Sequence, residues 1–331
     1  MSAIGITAIA YALPEHALDV ASLSARGLIS SSAEAMRDFG FDRVLVSDRP
    51  ADELALAALR DLLRESGVDP ESIDALFYAG ALPASHRAAG GGGTAEVAHA
   101  APTTVPGAGA ALLDGFSYPA ARLQYECGLM RAAVVGIGQA GCAGLMAAVA
   151  LAADHLRANP GARRVACVSA DVLPPLAPRE IIFNLVSDGA CALMVERDAG
   201  RNRLLAYRQV TKGFHWDAGA NRNELVAAYF PTARTVIRET LSAAGLAAAD
   251  VALVIPHNVS LRSWQVLLPL VGIGLDRLFA DNIAAKGHVI AADNFINLRD
   301  AAAAGRVRPG DRLLLFTFGF GANWACMVLE A

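Results

Sequence analysis

The chain has 331 residues, of which 54% are hydrophobic and 18% charged, with a formal charge of −4. That length and apolar content can bury at least one large core, which excludes disorder for most of the chain, and 28 Lys+Arg against 32 Asp+Glu leave no positive field to hold a nucleic acid. The mean hydropathy of +0.39 comes largely from alanine, and the longest apolar stretch, Cys142–Ala153, falls well short of the ~20 residues that span a bilayer, so no membrane partner is expected.

The opening residues MSAIGITAIAYALP alternate like a strand and lack a basic leader region, so a cytoplasmic location is expected. A helix is predicted over Asp52–Ser66, stopped by Gly67 and leading into a buried strand Ile73–Ala79. Residues 84–113, rich in Gly, Ala, Pro and Thr, are expected to form a long loop, and Gly90–Gly93 is no phosphate loop because no Gly-Lys-Ser/Thr follows. After a strand over Ala132–Val135, Gly136, Gly138 and Gly141 match a dinucleotide fingerprint, but the strand Val165–Ala170 that follows leads into Ser169-Ala170-Asp171 rather than completing a nucleotide site. No nicotinamide or other cofactor is expected.

A helix over Cys142–Arg157 precedes that strand. A later unit, helix Thr232–Ala244 stopped at Gly245 and strand Val251–Pro256, matches the first: Arg60 with Arg238, Gly67 with Gly245 and Ile73 with Val251, each pair 178 residues apart. Cys142–Arg157 with strand Val165–Ala170 likewise pairs with Asn294–Ala304 and strand Leu313–Phe318. Two units repeated in the same order indicate an internal duplication in a layered α/β fold, with halves over 1–200 and 201–331. Pseudo-twofold symmetry then brings the N-termini of the helices at Cys142 and Asn294 together, where a site is expected.

The five cysteines (127, 142, 167, 191 and 326) have neither paired spacing nor nearby histidines, which suits reduced thiols and gives no metal site. Cys142 alone follows a glycine run at a helix start, where free N–H groups and the helix dipole favour a thiolate and can cradle an oxyanion; a small buried cysteine is the plain alternative. His257 ends the second unit's strand, and His288 stands in a glycine-flanked turn five residues before Asp293. Cys142, His288 and Asp293 can form a triad, although Asp293 also suits a helix N-cap. Gly321, in Phe318–Trp324, can complete an oxyanion hole with the Cys142 N–H.

The ordered segments Asp52–Ala79, Gly141–Gly144, Ser187–Ala190, Ile255–Asn258 with Leu261-Arg262, Gly305–Gly310 and Phe318–Trp324 resemble β-ketoacyl carrier-protein synthase III and its relatives in the thiolase superfamily. The resemblance implies a duplicated five-layer αβαβα thiolase-like fold, a homodimer, and a cysteine acylated by a coenzyme A or acyl carrier protein thioester. Cys142 matches the nucleophile, His257 the catalytic histidine, and Arg262 a basic residue that docks the carrier.

Two departures refine the expectation. Gly287–Asp293 reads GHVIAAD where condensing members have GNTSAAS, so His288 replaces an asparagine and Asp293 a serine. This resembles a branch that transfers acyl groups to a hydroxyl or amine through a Cys-His-Asp triad, which makes acyl transfer to a small-molecule acceptor in specialised-metabolite biosynthesis the leading reading. Decarboxylative Claisen condensation by Cys142, His257 and His288 is the enzymatic alternative, and an inactive partner subunit of a synthase is the alternative of another class. The segment Glu34–Asp38 replaces the family's adenine-stacking tryptophan, which favours a carrier-bound donor.

Overall fold

In the computed structural model, residues 3–82, 118–182 and 184–331 are described; the loop expected over 84–113 lies outside them. The strands in chain order are β1 (Ile4–Ala12), β2 (Ala17–Asp19), β3 (Arg43–Leu45), β4 (Ala75–Ala79), β5 (Ala133–Ile137), β6 (Arg164–Asp171), β7 (Glu180–Ile181), β8 (Asn184–Leu185), β9 (Gly189–Arg197), β10 (Arg203–Thr211), β11 (Val251–Ile255), β12 (Arg312–Gly319) and β13 (Asn323–Glu330). Nine of them form one sheet in the order β11-β12-β13-β10-β1-β9-β6-β4-β5.

The duplication is visible in that order. From the centre outward, β1-β9-β6-β4 is repeated by β10-β13-β12-β11. In both runs the second strand is antiparallel to its two neighbours and the outer two strands are parallel. The halves meet at Gly5 opposite Arg203, where a Cβ on Gly5 would lie 2.7 Å from two carbonyl oxygens, so the seam requires glycine. The two matched helices end as expected, at Gly67 with φ 65° and at Gly245 with φ 70°.

Five layers follow from the strand period of two, which sends alternate residues to opposite faces of the sheet. Phe77, Cys167 and Leu193 of the first half, with Ile255, Leu315 and Met327 of the second, face inward onto the helices Gly144–Ala158 and Asp293–Ala303. Leu76, Val168 and Met194 face outward onto helix Ala51–Ser66. Val254, Phe316 and Cys326 face outward onto helices Arg222–Ala243 and Leu261–Val271. A helix enclosed between two sheets must be apolar on nearly all sides, and small alanines let the sheets approach it; this is the origin of the alanine-driven hydropathy. Among the described residues no helix is long and apolar enough to cross a membrane.

Three of the boundaries that differ from expectation bear on the site or have a visible cause. The helix expected from Thr232 begins at Arg222, because Pro231 is accommodated inside it. β4 begins at Ala75, since Asp74 turns its carboxylate to the N–H groups of Arg163 and Arg164 at 2.7 and 2.9 Å. The helix expected from Cys142 begins at Gly144, and Cys142 sits in the preceding 3-10 turn, Gly141–Ala143.

Candidate active site

The nucleophile turn is locked to the turn between β12 and β13. A Cβ on Gly319 would stand 2.2 Å from the Ala140 carbonyl oxygen and 2.7 Å from the Cys142 nitrogen, and a Cβ on Gly141 would stand 2.8 Å from the Phe320 nitrogen and oxygen. Only glycine backbones can interleave so closely. Of the five cysteines Cys142 alone is not fully buried, and it opens onto a cavity of about 250 Å³. Burial pushes the other four thiols up, Cys326 to about 12, which makes them inert core residues.

His288 reaches the same cavity from the opposite half of the fold. Its N–H donates to the Leu185 carbonyl at 2.8 Å and its carbonyl accepts from the Ser187 N–H at 2.9 Å. Gly287, at φ 63°, has no room for a Cβ against Ser187 Oγ and the Leu185 oxygen. The ring therefore stands fixed with Nε2 3.3 Å from Cys142 Sγ and Nδ1 2.6 Å from Asp293 Oδ2.

Asp293 is the first residue of helix Asp293–Ala303; Ala292 occupies the N-cap position, so the capping role considered for Asp293 does not apply. Its Oδ1 accepts from the Val289 N–H at 2.6 Å and its Oδ2 from the Asn258 N–H at 2.7 Å. Although burial favours its protonated form, the charge and the hydrogen bond of His288, with the longer approach of His257, hold the carboxyl down to about 2.

His257 follows β11, with its carbonyl accepting from Trp264 Nε1 at 3.0 Å. Its ring lies edge-on to His288, centroids 4.7 Å apart. Its Nδ1 is 3.5 Å from Asp293 Oδ2, too long for a good hydrogen bond, and has no other partner among the described residues. Burial pushes His257 down to about 4, so it is neutral near pH 7. For His288 burial acts the same way but is outweighed by the Asp293 carboxylate and Cys142, which hold it up to about 10. Two adjacent imidazoles are thus split into a neutral and a charged one, the pattern by which environment assigns acid and base roles.

The cavity is apolar away from this end. Leu225, Val226, Tyr229 and Phe230 line it from helix Arg222–Ala243, with Ile181 and Ile182 among its other walls. Phe318 and Phe320 close the side next to Cys142; within that turn Phe320 forms the wall, while Gly321 follows it at φ 82° against Gln139 and Asn323. Gln139, Ile182, Ile290 and Ala322 hold positive φ without being glycine, so backbone strain collects around the site. Arg262 is exposed, placing Nη2 3.2 Å from Asp38 Oδ2 and its guanidinium over the Phe39 ring, outside the cavity wall.

Donor atoms of His257, His288 and Asp293 lie within 4.8 Å of one another. Both Asp293 oxygens are already engaged by backbone N–H groups. The structure brings Cys142, His257, His288 and Asp293 together as expected. Sequence reasoning missed Asn258 and Asn297, whose buried amides join these segments; the juxtaposition of Asn258 with His257 was the available signal.

Family models for 3-oxoacyl-[acyl-carrier-protein] synthase III match residues 138–213, which contain Cys142, and, with the C-terminal model, residues 241–331, which contain both histidines and Asp293. The chain belongs to the β-ketoacyl-[acyl-carrier-protein] synthase III family. The Aquifex aeolicus (strain VF5) member is 25% identical over 301 residues, covering 87% of each chain. A solved structure of the 3-oxoacyl-[acyl-carrier-protein] synthase III from Aquifex aeolicus VF5 superposes with a TM-score of 0.81 at 22% identity, covering 99% of this chain and 100% of that one. The acyltransferase ChlB3 superposes with a TM-score of 0.80 at 24% identity, covering 99% and 98%. The thiolase-like fold expected from the motifs is therefore the fold of this family member.

Proposed function

We propose that the protein is an acyltransferase that carries an acyl group from a carrier-protein or coenzyme A thioester, through a thioester on Cys142, to a hydroxyl or amine of a small-molecule acceptor. The observation that carries the reading is the unbroken line from Cys142 Sγ through His288 to Asp293, at 3.3 and 2.6 Å.

In the first step the Cys142 sulfur, already paired with the protonated His288, attacks the donor carbonyl. The oxyanion is held by the N–H groups of Cys142 and Gly321. The donor C–S bond breaks and its sulfur leaves with the proton from His288. Acylation removes the negative sulfur from beside His288, which lowers its proton affinity and frees Nε2 as a base. It then takes the acceptor's proton, the acceptor attacks the acyl carbonyl, and the Cys142–carbonyl bond breaks. Asp293 keeps Nδ1 protonated throughout. His257, neutral and edge-on to His288, positions the acyl carbonyl.

Met36 is fully buried in helix Ala33–Asp38 and cannot stack on an adenine, which supports a carrier-bound donor docking near Arg262. A homodimer is part of the proposal: among the described residues β5 is an edge strand paired only with β4, and its Val134 and Val135 are 37% and 41% exposed. A cytoplasmic location and a role in specialised metabolism complete it.

Decarboxylative condensation is the second reading, favoured by the pairing of neutral His257 with His288 beside Cys142, which offers two imidazole N–H donors to an enolate oxygen. Incubation with an acyl thioester tests both readings: the wild type gains one acyl mass and Cys142→Ala none. An equal adduct on Cys142→Ala would overturn the covalent step, and failure of any adduct to form would favour an inactive subunit.

A further inference from the structure

Asn297 lies one turn after Asp293 on the same helix and is completely buried. Its Nδ2 donates to the Pro256 carbonyl at 2.8 Å and to Asn258 Oδ1 at 2.7 Å. Asn258 Nδ2 donates to the Gly287 carbonyl at 2.8 Å, and the Asn258 backbone N–H donates to Asp293 Oδ2 at 2.7 Å. Two amides thus tie together the turn that carries His257, the turn that carries His288, and the helix that carries Asp293. Asn297 is held in turn: its Oδ1 accepts from Asn282 Nδ2 at 2.7 Å, and Asn282 also donates to Asp300 Oδ2 at 2.6 Å. Asp300 is paired with Lys286 and accepts from the Tyr11 hydroxyl at 2.8 Å.

We propose that Asn297, which contacts neither the sulfur nor either imidazole, is a positioning residue that aims Asp293 at His288 through Asn258. The proposal rests on the reading of Cys142, His288 and Asp293 as a triad. The physical reason is the crowding of Asp293 Oδ2, which faces the Asn258 N–H, His288 Nδ1 and, at 3.5 Å, His257 Nδ1. Whether this oxygen stays with His288 depends on where the Pro256–Asn258 turn stands. That turn is held by three side-chain amide bonds, Asn297 to Pro256, Asn297 to Asn258 and Asn258 to Gly287, beside the Trp264 Nε1 bond to the His257 carbonyl. A buried network of this kind holds one geometry only when every member is satisfied. The titratable groups around His288 are Cys142, His257 and Asp293, with Asp171 at the end of β6 and Asp188 beyond it.

The test is the rate of Cys142 alkylation by iodoacetamide against pH in the full-length protein, measured for wild type, Asp293→Asn, Asn297→Leu and the double variant, with thermal melting alongside. Release of Asp293 from His288 should slow alkylation near neutral pH about tenfold and move its pH midpoint up by about one unit. Asn297→Leu is expected to reproduce most of the Asp293→Asn effect, and the double variant to be no slower than Asp293→Asn alone. Asn297→Ser, with space for a water to take up the freed hydrogen bonds, carries the same test if the leucine variant does not fold; it should show a smaller shift in the same direction. Asn297 variants that melt earlier yet keep the wild-type pH profile would overturn the proposal, as would additive losses in the double variant. If Asp293→Asn itself leaves alkylation unchanged, it is the triad reading that fails.

Discussion

His257 and His288 stand with ring centroids 4.7 Å apart and hold their protons oppositely, because only one of them faces a carboxylate at full hydrogen-bond distance. This has a consequence for stability. His288 keeps its proton to about 10 when folded, against an ordinary 6.5, so its contribution is complete below 6.5 and is lost as pH rises towards 10. His257 is depressed to about 4, so the folded state loses stability as pH falls from 6.5 towards 4. Melting curves across this range should show the alkaline decline flattened in His288→Gln and the acid decline flattened in His257→Gln. Asp293→Asn should cut acyl discharge by roughly 10²- to 10⁴-fold, the usual worth of an oriented base, in a stopped assay of acceptor product; a loss below threefold would reduce Asp293 to a structural residue. Cys142, His257 and His288 were legible because each stands just after a glycine or a strand, and Asp293 because it follows His288 by five residues at a helix start. Asn258 and Asn297 were not, because an amide inside a helix or a turn has no period of its own and gains its meaning only from the distant carbonyl it meets.

Among the elements, the repeated helix–glycine–strand unit was readable because it places an αL glycine and a buried strand at a constant offset. The start of helix Arg222–Ala243 was not, since Pro231 fits a first-turn position as well as it fits the interior it occupies. Sequence also hid the interleaving of the two glycine turns, a contact between residues about half the chain apart. Gly319→Ala tests it: the added Cβ would meet Ala140 O at 2.2 Å, so the nucleophile turn must move. Overpacking of this kind costs typically ~1–3 kcal/mol, and the variant should melt earlier and acylate Cys142 more slowly, seen by calorimetry and adduct mass. The Arg179–Asp188 pair brackets the segment that carries Ile181 and Val186 of the cavity wall, and is buried at 4% and 0% side-chain exposure and bonded at 2.6 Å. Arg179→Met leaves Asp188 uncompensated and should destabilise the fold by ~3–5 kcal/mol in denaturant titration.

For the molecule as a whole, the duplication sets the site at the pseudo-twofold, where the turn ahead of helix Gly144–Ala158 presents Cys142 from one half and helix Asp293–Ala303 presents Asp293 from the other. Neither half holds a complete triad. The same architecture leaves β5 as an apolar edge at the far side of the first half. Val135→Lys places a charge on that edge, and sedimentation should show the proposed dimer converted to monomer. The central claim is that Cys142 takes up an acyl group and His288, aimed by Asp293, discharges it onto a hydroxyl or amine. Intact-protein mass spectrometry with malonyl and simple acyl thioesters, followed by product analysis with a nucleophilic acceptor, tests it most directly. A Cys142 adduct that keeps the whole acyl group and leaves on an oxygen or nitrogen is the expected result; carbon dioxide release with a β-keto product would contradict it and establish condensation.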